Sequence, residues 1–524
     1  MVLTPVLTRL IDALISSRSV ARPPDMEEEW LSYPDAPRIL TPPPGPRSRE
    51  LLDVQGRLET DAVVYSKYFP LALREGRGST VEDLDGNRYI DWVAGVSVLN
   101  LGHRHPRLVK ALERQAGLLW HSLELPTEAR IDFLKELEAS LPGSLRQHAR
   151  VLFTVTGGDA VETAVNLADH ATGRHGTVTF SGAYHGVHGG AVNLTSGRRY
   201  HTTSSFHGGT IVRVPYPDPY RPVLGPSDSS EGVIRYLQHL ARDPHSGVDQ
   251  LSAVLVEPIL GEGGYVVPPD DFLPSLREFC TQNDLLLIAD EIQTGLGRTG
   301  RMWAVEHSGV TPDILCIAKT IGGGIPVSMV AYRDDLVREL PKGFHLGTYR
   351  GNPLALAVGA EVLRVLREGD LIDRTAHRGR RVADEFRRLA ADHPAIGDVR
   401  GKGFMIGVEF VRDHRTRVPW PERARAMRHE LFQRGVLMHT CGSYDQCLRF
   451  MSPLTIEDEL LDRGLRVFGD ALDAMEEAPS APRPVPPSVG HLPIPSTREN
   501  LPEPRIPGPF HPTPAIPPPP PHLD

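Results

Sequence analysis

Three positions in the chain carry residue types from which covalent and acid–base chemistry can be built. Lys319 follows the apolar run Ile314–Ala318 and precedes Thr320 and Gly322-Gly323-Gly324. A lysine leaving a buried strand is desolvated, which favours the neutral amine a nucleophile needs. Asp290 follows the apolar run Leu285–Ala289 and opens Asp290-Glu291-Ile292-Gln293. A carboxylate there can hold a proton on a basic partner. Gly157 and Gly158 follow Val151–Val155 and precede a helix, so their backbone N–H groups offer a cradle for a phosphate. Taken singly, each has an ordinary explanation: a solvated lysine, a capping carboxylate, a turn.

The elements that must position these residues alternate short apolar runs with amphipathic stretches, the pattern of a parallel α/β sheet. The remaining strands are predicted at Thr177–Phe180, Ala253–Val256 and Val327–Tyr332, and helices at Ala160–Thr172, Phe272–Asn283 and Pro353–Glu368. Several of the runs are continuously apolar, as expected of strands covered on both faces. Ligands of open α/β sheets sit beyond the carboxyl ends of the strands, which is where the lysine, the aspartate and the paired glycines fall.

The bulk properties narrow the class further. A chain of 524 residues is too long for one small core, so two domains with accessory segments are expected. The formal net charge of −9, spread along the chain, leaves no basic footprint for nucleic acid or an anionic membrane. The four cysteines form no CxxC motif, so neither a disulfide framework nor a metal site is expected. No apolar run approaches the ~18 residues of a membrane span, and no secretory signal is evident; cytoplasmic residence is the expectation. A short amphipathic helix is predicted over Leu3–Ser16. Residues 34–46 form a proline-rich, extended lead-in. The tail 478–524 is denser still in proline and is expected to be disordered or polyproline II.

An amine nucleophile, an acid and a neutral phosphate anchor are together what pyridoxal 5′-phosphate requires: the lysine takes the aldehyde as a Schiff base, and the acid keeps the pyridine nitrogen protonated. The stretch 249–352 strengthens this. It contains Val256-Glu257-Pro258, Gly261-Glu262-Gly263-Gly264 and LLLIADEIQTGLGRTGRMWAVEHSGVTPDILCIAKTIGGGIPVSMV, and it closely resembles class III aminotransferases, the ω-aminotransferase branch of fold type I pyridoxal enzymes. The resemblance runs from about Tyr68 to about Ala474. It implies an α/β fold type I transferase: a three-layer α/β/α large domain at 106–341 and a smaller α+β domain from 47–105 and 342–477. The segments 1–46 and 478–524 are an N-terminal extension and a tail.

Carried over residue by residue, the resemblance makes Lys319 and Asp290 the catalytic pair. It places Gly157 and Gly158 at the cofactor phosphate, Tyr184 of SGAYHG on the cofactor ring and Gln293 near its phenolic oxygen. Thr348 of GTYRGNP would reach the phosphate from a neighbouring subunit, which implies a homodimer with shared sites. Glu257 and Arg449 resemble a substrate-side switch, the arginine clamping a carboxylate and otherwise returning to Glu257. His103, His105 and His185 are expected to pack or hydrogen-bond only.

The segments Gln55–Pro70, Pro215–Gly225 and Gly347–Asn352 resemble 2,4-diaminobutyrate aminotransferases, although those carry an arginine near Val63–Val64 that this chain lacks. The partners implied are a small amino acid and a 2-oxo acid. The same features, with EDLDGNRYIDWVAG, resemble a branch that racemises or epimerises amino acids. Transamination is the favoured reading. A non-catalytic regulator would be expected to have lost the lysine or gained a DNA-binding module, and neither is seen.

Overall fold

The computed structural model describes residues 31–60, 62–201, 210–224 and 230–477. The helix predicted over Leu3–Ser16, most of the N-terminal extension and the proline-rich tail lie outside these. At its centre is a seven-stranded sheet of β4 (Ala149–Thr154), β10 (Ser328–Arg333), β9 (Ile314–Ile317), β8 (Leu286–Asp290), β7 (Leu251–Val256), β5 (Gly176–Phe180) and β6 (Thr210–Val214), in that spatial order. β7, β8 and β9 are buried at every position, as their unbroken apolar runs require of strands covered on both faces.

Alternate side chains of these strands enter different cores, because successive residues of a strand point to opposite faces. Ala253, Leu255, Ile288, Ile314 and Cys316 pack on Ala160, Ala164 and Leu167 of the Gly157–Thr172 helix. Val254, Val256 and Leu287 pack under Phe272, Leu276 and Phe279 of the Phe272–Gln282 helix. Leu315 and Ile317 join Phe133, Leu356 and Val362 from the Glu128–Ser140 and Pro353–Glu368 helices. The result is the expected three-layer α/β/α arrangement.

The sheet is not wholly parallel, which corrects the expectation. β10 runs antiparallel to both β9 and β4. The physical reason is the connection 318–327, which is shorter than the dozen or so residues a parallel crossover needs. The edge strand β6 was not expected from its sequence. Helix Gly157–Thr172 also starts earlier than predicted, with both glycines in its first turn and Thr156 capping the Asp159 N–H.

Two smaller sheets flank this core. β1 (Leu73–Arg77), β2 (Thr80–Asp83) and β3 (Arg88–Asp91) form a meander, and β13 (Val436–Leu437) adds to β3 in parallel. β11 (Ile396–Lys402), β12 (Met405–Phe410), β15 (Cys447–Phe450) and β14 (His439–Cys441) form the third sheet. The lead-in 34–46 proves better anchored than expected. Ala36 is buried, Arg38 bridges to Arg88, and the Asn87 side chain accepts the N–H groups of Leu40 and Thr41. Among the described residues, no helix is long and apolar enough to cross a membrane.

Behind Lys319 the packing leaves no room. A Cβ on Gly359, in the Pro353–Glu368 helix, would lie 2.7 Å from the Ile321 carbonyl oxygen and 2.7 Å from the Phe133 ring. Gly359→Val must therefore push the turn that carries Lys319 toward the sheet. The expected result is a Tm lower by a few degrees in thermal unfolding. An unchanged Tm would mean that this contact is loose.

Candidate active site

The carboxyl ends of four strands surround a cavity of about 700 Å³. Thr156-Gly157-Gly158-Asp159 follow β4, Glu257 follows β7, Asp290 ends β8, and Lys319 lies two residues beyond β9. The loop after β5 adds Tyr184 to Gly189. The local backbone explains how each chain turns into the site. Lys319 has φ +52°, in the left-handed region that side chains other than glycine seldom adopt. It opens a 3₁₀ turn, Lys319–Gly322, pinned where the Thr320 hydroxyl donates to the Ser97 carbonyl at 2.6 Å. Gly158 and Gly186 let two backbones approach closely. Gly186 has φ +121°, and a Cβ there would sit 2.9 Å from the Gly158 Cα.

Asp290 is buried and held on both oxygens. One lies 2.7 Å from His185 Nδ1, and the other accepts the Ile292 N–H at 3.1 Å. His185 therefore has the hydrogen-bonding duty expected of it, and it orients the carboxylate. Its Nε2 is buried without a partner. Burial lowers the pKa of the Lys319 amine, against the opposing pull of Asp290, Glu262 and Glu257. This favours the neutral amine that nucleophilic attack requires.

Gln293 and Tyr184 line the same cavity. The Tyr184 ring lies 5.1 Å from the Tyr200 ring, and its N–H donates to Glu257. Thr348 does not join the cavity wall of its own chain. It is exposed, with its carbonyl accepting from His121 Nε2 at 2.6 Å.

On the substrate side the geometry differs from the sequence expectation. Arg449 is not paired with Glu257. Its guanidinium forms an ion pair with Glu262 and approaches His439 Nδ1 at 3.2 Å. Glu257 is already committed, accepting the N–H groups of Tyr184 and Gly261, each at 2.9 Å. Glu262 stands in the Gly261-Glu262-Gly263-Gly264 motif, so the sequence did contain the second candidate. Two glutamates in one loop cannot be told apart until the fold shows which faces the arginine. His439 had no sequence signal at all. His103 bonds Asp91 at 3.0 Å, and His105 is the residue before the Pro106–Ala116 helix. Among the described residues, no His, Cys, Asp and Glu group could hold a metal ion.

The chemistry of this donor set fits pyridoxal phosphate. It combines a desolvated amine, a carboxylate fixed by two hydrogen bonds, a helix N-terminus with glycines for a phosphate, and an orphaned buried imidazole nitrogen.

Comparison with known proteins agrees. The model of the family "Aminotransferase class-III" matches residues 62–472. A diaminobutyrate–2-oxoglutarate aminotransferase of Rhizobium meliloti is 38% identical over 425 residues, covering 79% of this chain and 90% of that protein. A 5-aminovalerate aminotransferase of Pseudomonas aeruginosa is 35% identical over 409 residues, covering 78% of this chain and 94% of the relative. The PLP-bound crystal structure of an amine transaminase from an uncultivated Pseudomonas species superposes with a TM-score of 0.71 at 30% identity, covering 80% of this chain and 96% of that one.

One buried carboxyl sets a pH dependence. Burial pushes Glu291 up to about 7, although Thr294 and the Val305 N–H bond to it, and Glu306 adds to the rise. Because this value exceeds the unfolded one, the group's contribution to stability is complete in acid and is lost as pH rises through the folded value. Glu291→Gln removes the titration. In urea unfolding the variant should gain on the parent between about pH 4.5 and 7, by up to about 3 kcal/mol. A difference constant over that range would overturn the assignment.

Proposed function

This chain belongs to the class-III aminotransferases, and from that membership we propose that it moves a terminal amino group to 2-oxoglutarate, or runs in reverse from glutamate. The donor is a diamino or ω-amino acid such as 2,4-diaminobutyrate, ornithine or 4-aminobutyrate. The observation that carries this reading is the meeting of Lys319, Asp290 and the Gly157-Gly158 turn at the carboxyl edge of one sheet. The relatives' terminal-amine substrates support the choice of donor.

Pyridoxal phosphate, when bound, supplies the electron sink that stabilises negative charge at the amine-bearing carbon. The chain's own residues do the rest. Lys319 Nζ would hold the cofactor's carbonyl carbon, and its amine, which burial biases toward the neutral form, is the base placed to take and return the substrate proton. Asp290, its oxygens kept in place by His185 and the Ile292 N–H, would keep the pyridine nitrogen protonated. The first-turn N–H groups at Gly157 and Gly158 would hold the phosphate. Tyr184 would pack on the cofactor ring, and Gln293 would serve its phenolic oxygen. Arg449 takes the second carboxylate of 2-oxoglutarate after leaving Glu262, a swing that admits donors lacking that carboxylate.

Proton NMR in D₂O tests the reaction on the holoenzyme, with L-2,4-diaminobutyrate, L-ornithine and 4-aminobutyrate as donors. Glutamate should appear only when 2-oxoglutarate is present, with loss of a terminal CH₂–N signal, and Lys319→Ala should give neither. Loss of the α-proton without keto acid, with D-isomer accumulating, would make the enzyme a racemase.

The protein works as a homodimer in which Thr348 serves the partner's site. Exposed Leu118, Trp120 and Leu125 lie beside exposed Leu346 and Tyr349, around His121 and Thr348, and such apolar surface asks for cover. The large domain is residues 106–341 and the small one combines 47–105 with 342–477. The addition of β13 to the β1–β3 meander supports the latter. The four cysteines are free, in keeping with a cytoplasmic enzyme.

Subunit mixing checks the sharing. Lys319→Ala and Thr348→Asp should each be nearly inactive alone. Random re-pairing should restore about a quarter of parental activity, because mixed dimers hold one intact site. No restoration would mean that each subunit builds its site alone.

A further inference from the structure

Arg449 has a second neighbour besides Glu262, and nothing in the proposed reaction uses it. His439 faces Arg449 across the β14–β15 ladder, residue opposite residue. Its ring is buried, and Nδ1 lies 3.2 Å from Arg449 Nη2 and 2.5 Å from the Thr440 carbonyl oxygen. Burial, and then the charge of Arg449, push its pKa down to about 3, so the ring is neutral at working pH. A neutral imidazole has one bare nitrogen and one N–H. As a lone pair Nδ1 accepts from Arg449, and as an N–H it donates to Thr440. It cannot do both at once, so Nδ1 keeps a partner whether or not the guanidinium stays.

The ring is held in place by aromatic packing. Its centroid lies 4.7 Å from Tyr68, 5.6 Å from Tyr65 and 6.0 Å from Phe69. Arg428 reinforces the wall, lying 4.5 Å over the Tyr68 ring and donating to the Thr440 hydroxyl at 3.3 Å. His439 Nε2 is buried without a partner. A leucine would fill this space without stranding a polar nitrogen, so the imidazole carries a desolvation cost that packing alone does not offset.

The two partners of Arg449 sit differently. Glu262 lines the cavity, and the ion pair is made through Nη1; His439 lies outside the cavity wall and meets Nη2. We propose that His439 is a positioning residue for Arg449, holding one arm of the guanidinium while the other exchanges Glu262 for the carboxylate of an incoming 2-oxo acid. The inference rests on the reading of Arg449 as the carboxylate clamp. Without His439, Arg449 relaxes wholly onto Glu262, and the dicarboxylate must compete with a tighter ion pair.

The test uses holoenzyme and two variants, His439→Leu and His439→Gln. Calorimetric titration with glutarate, an unreactive dicarboxylate, reads the clamp without turnover. Single-turnover reaction of 2-oxoglutarate with enzyme carrying the aminated cofactor separates half-saturation from limiting rate. The leucine variant should bind glutarate about fivefold more weakly and need about fivefold more 2-oxoglutarate for half-saturation, as the loss of one hydrogen bond requires. Its limiting rate and cofactor content should stay within about twofold of the parent, since the chemical step and the cofactor's own contacts do not involve His439. The glutamine variant, which keeps a neutral acceptor, should recover most of the affinity. Equal behaviour of both variants, a fall in limiting rate alone, or no change in glutarate affinity would overturn the proposal. Arg449→Lys separates the two levels: undiminished glutarate binding in that variant would sink the clamp reading itself, independently of His439.

Discussion

The register between β8 and β9 is the constraint on which the site depends. Asp290 pairs with Cys316 in the parallel ladder, and Lys319 comes three residues after Cys316, just past the end of that strand. Adjacent strands lie about 4.8 Å apart, so this register brings an acid and an amine from remote sequence to opposite sides of one small space. A slip by one residue would turn Ile288, Asp290, Ile314 and Cys316 to the other face and dissolve both the core and the site. The core thus enforces the chemistry: Ile288, Ile314 and Cys316 pack against a single helix, and that packing tolerates no other alignment.

Around this pair the fold gathers more acid than base. Glu257, Glu262 and Asp290 stand near Lys319, and Glu291, next in the chain to Asp290, is buried off the cavity wall. Each carboxyl is given separate work by its hydrogen bonds. Asp290 is gripped by His185, Glu257 by two backbone N–H groups, Glu291 by Thr294 and Val305, and Glu262 by Arg449. Burial drives Glu257 toward the neutral form, which limits the negative charge near the lysine, and it does the same to Glu291 in the core. Glu262 alone among the four is held by an arginine side chain, the kind of partner that can rotate away.

Support for the site also comes from far along the chain. The turn carrying Lys319 is bonded to Ser97 and backed by Gly359 and Phe133. Arg298, fully buried, donates to the Phe404 and Ser452 carbonyls and to the Asn100 side chain, tying three distant segments together beside the core. The antiparallel β10 brings Ser328 back beside β4, where its hydroxyl donates to the Thr156 carbonyl at the start of the Gly157-Gly158 turn.

The sequence by itself determined six of the seven strands of the central sheet and the residue types at their ends, and its family resemblance implied the three-layer fold. Apolar runs, glycine pairs and isolated charges are local patterns, and each reports its own burial or turn. It also placed Lys319, Asp290 and the Gly157-Gly158 turn, because strand polarity fixes which end of each run faces the ligand. Only the tertiary structure decided the direction of β10, the partner of Arg449 and the part of His439. Glu257 and Glu262 are equally good carboxylates in one loop. The choice between them is made where the Tyr184 N–H claims Glu257 and Arg449 meets Glu262, contacts through space between segments the chain keeps far apart.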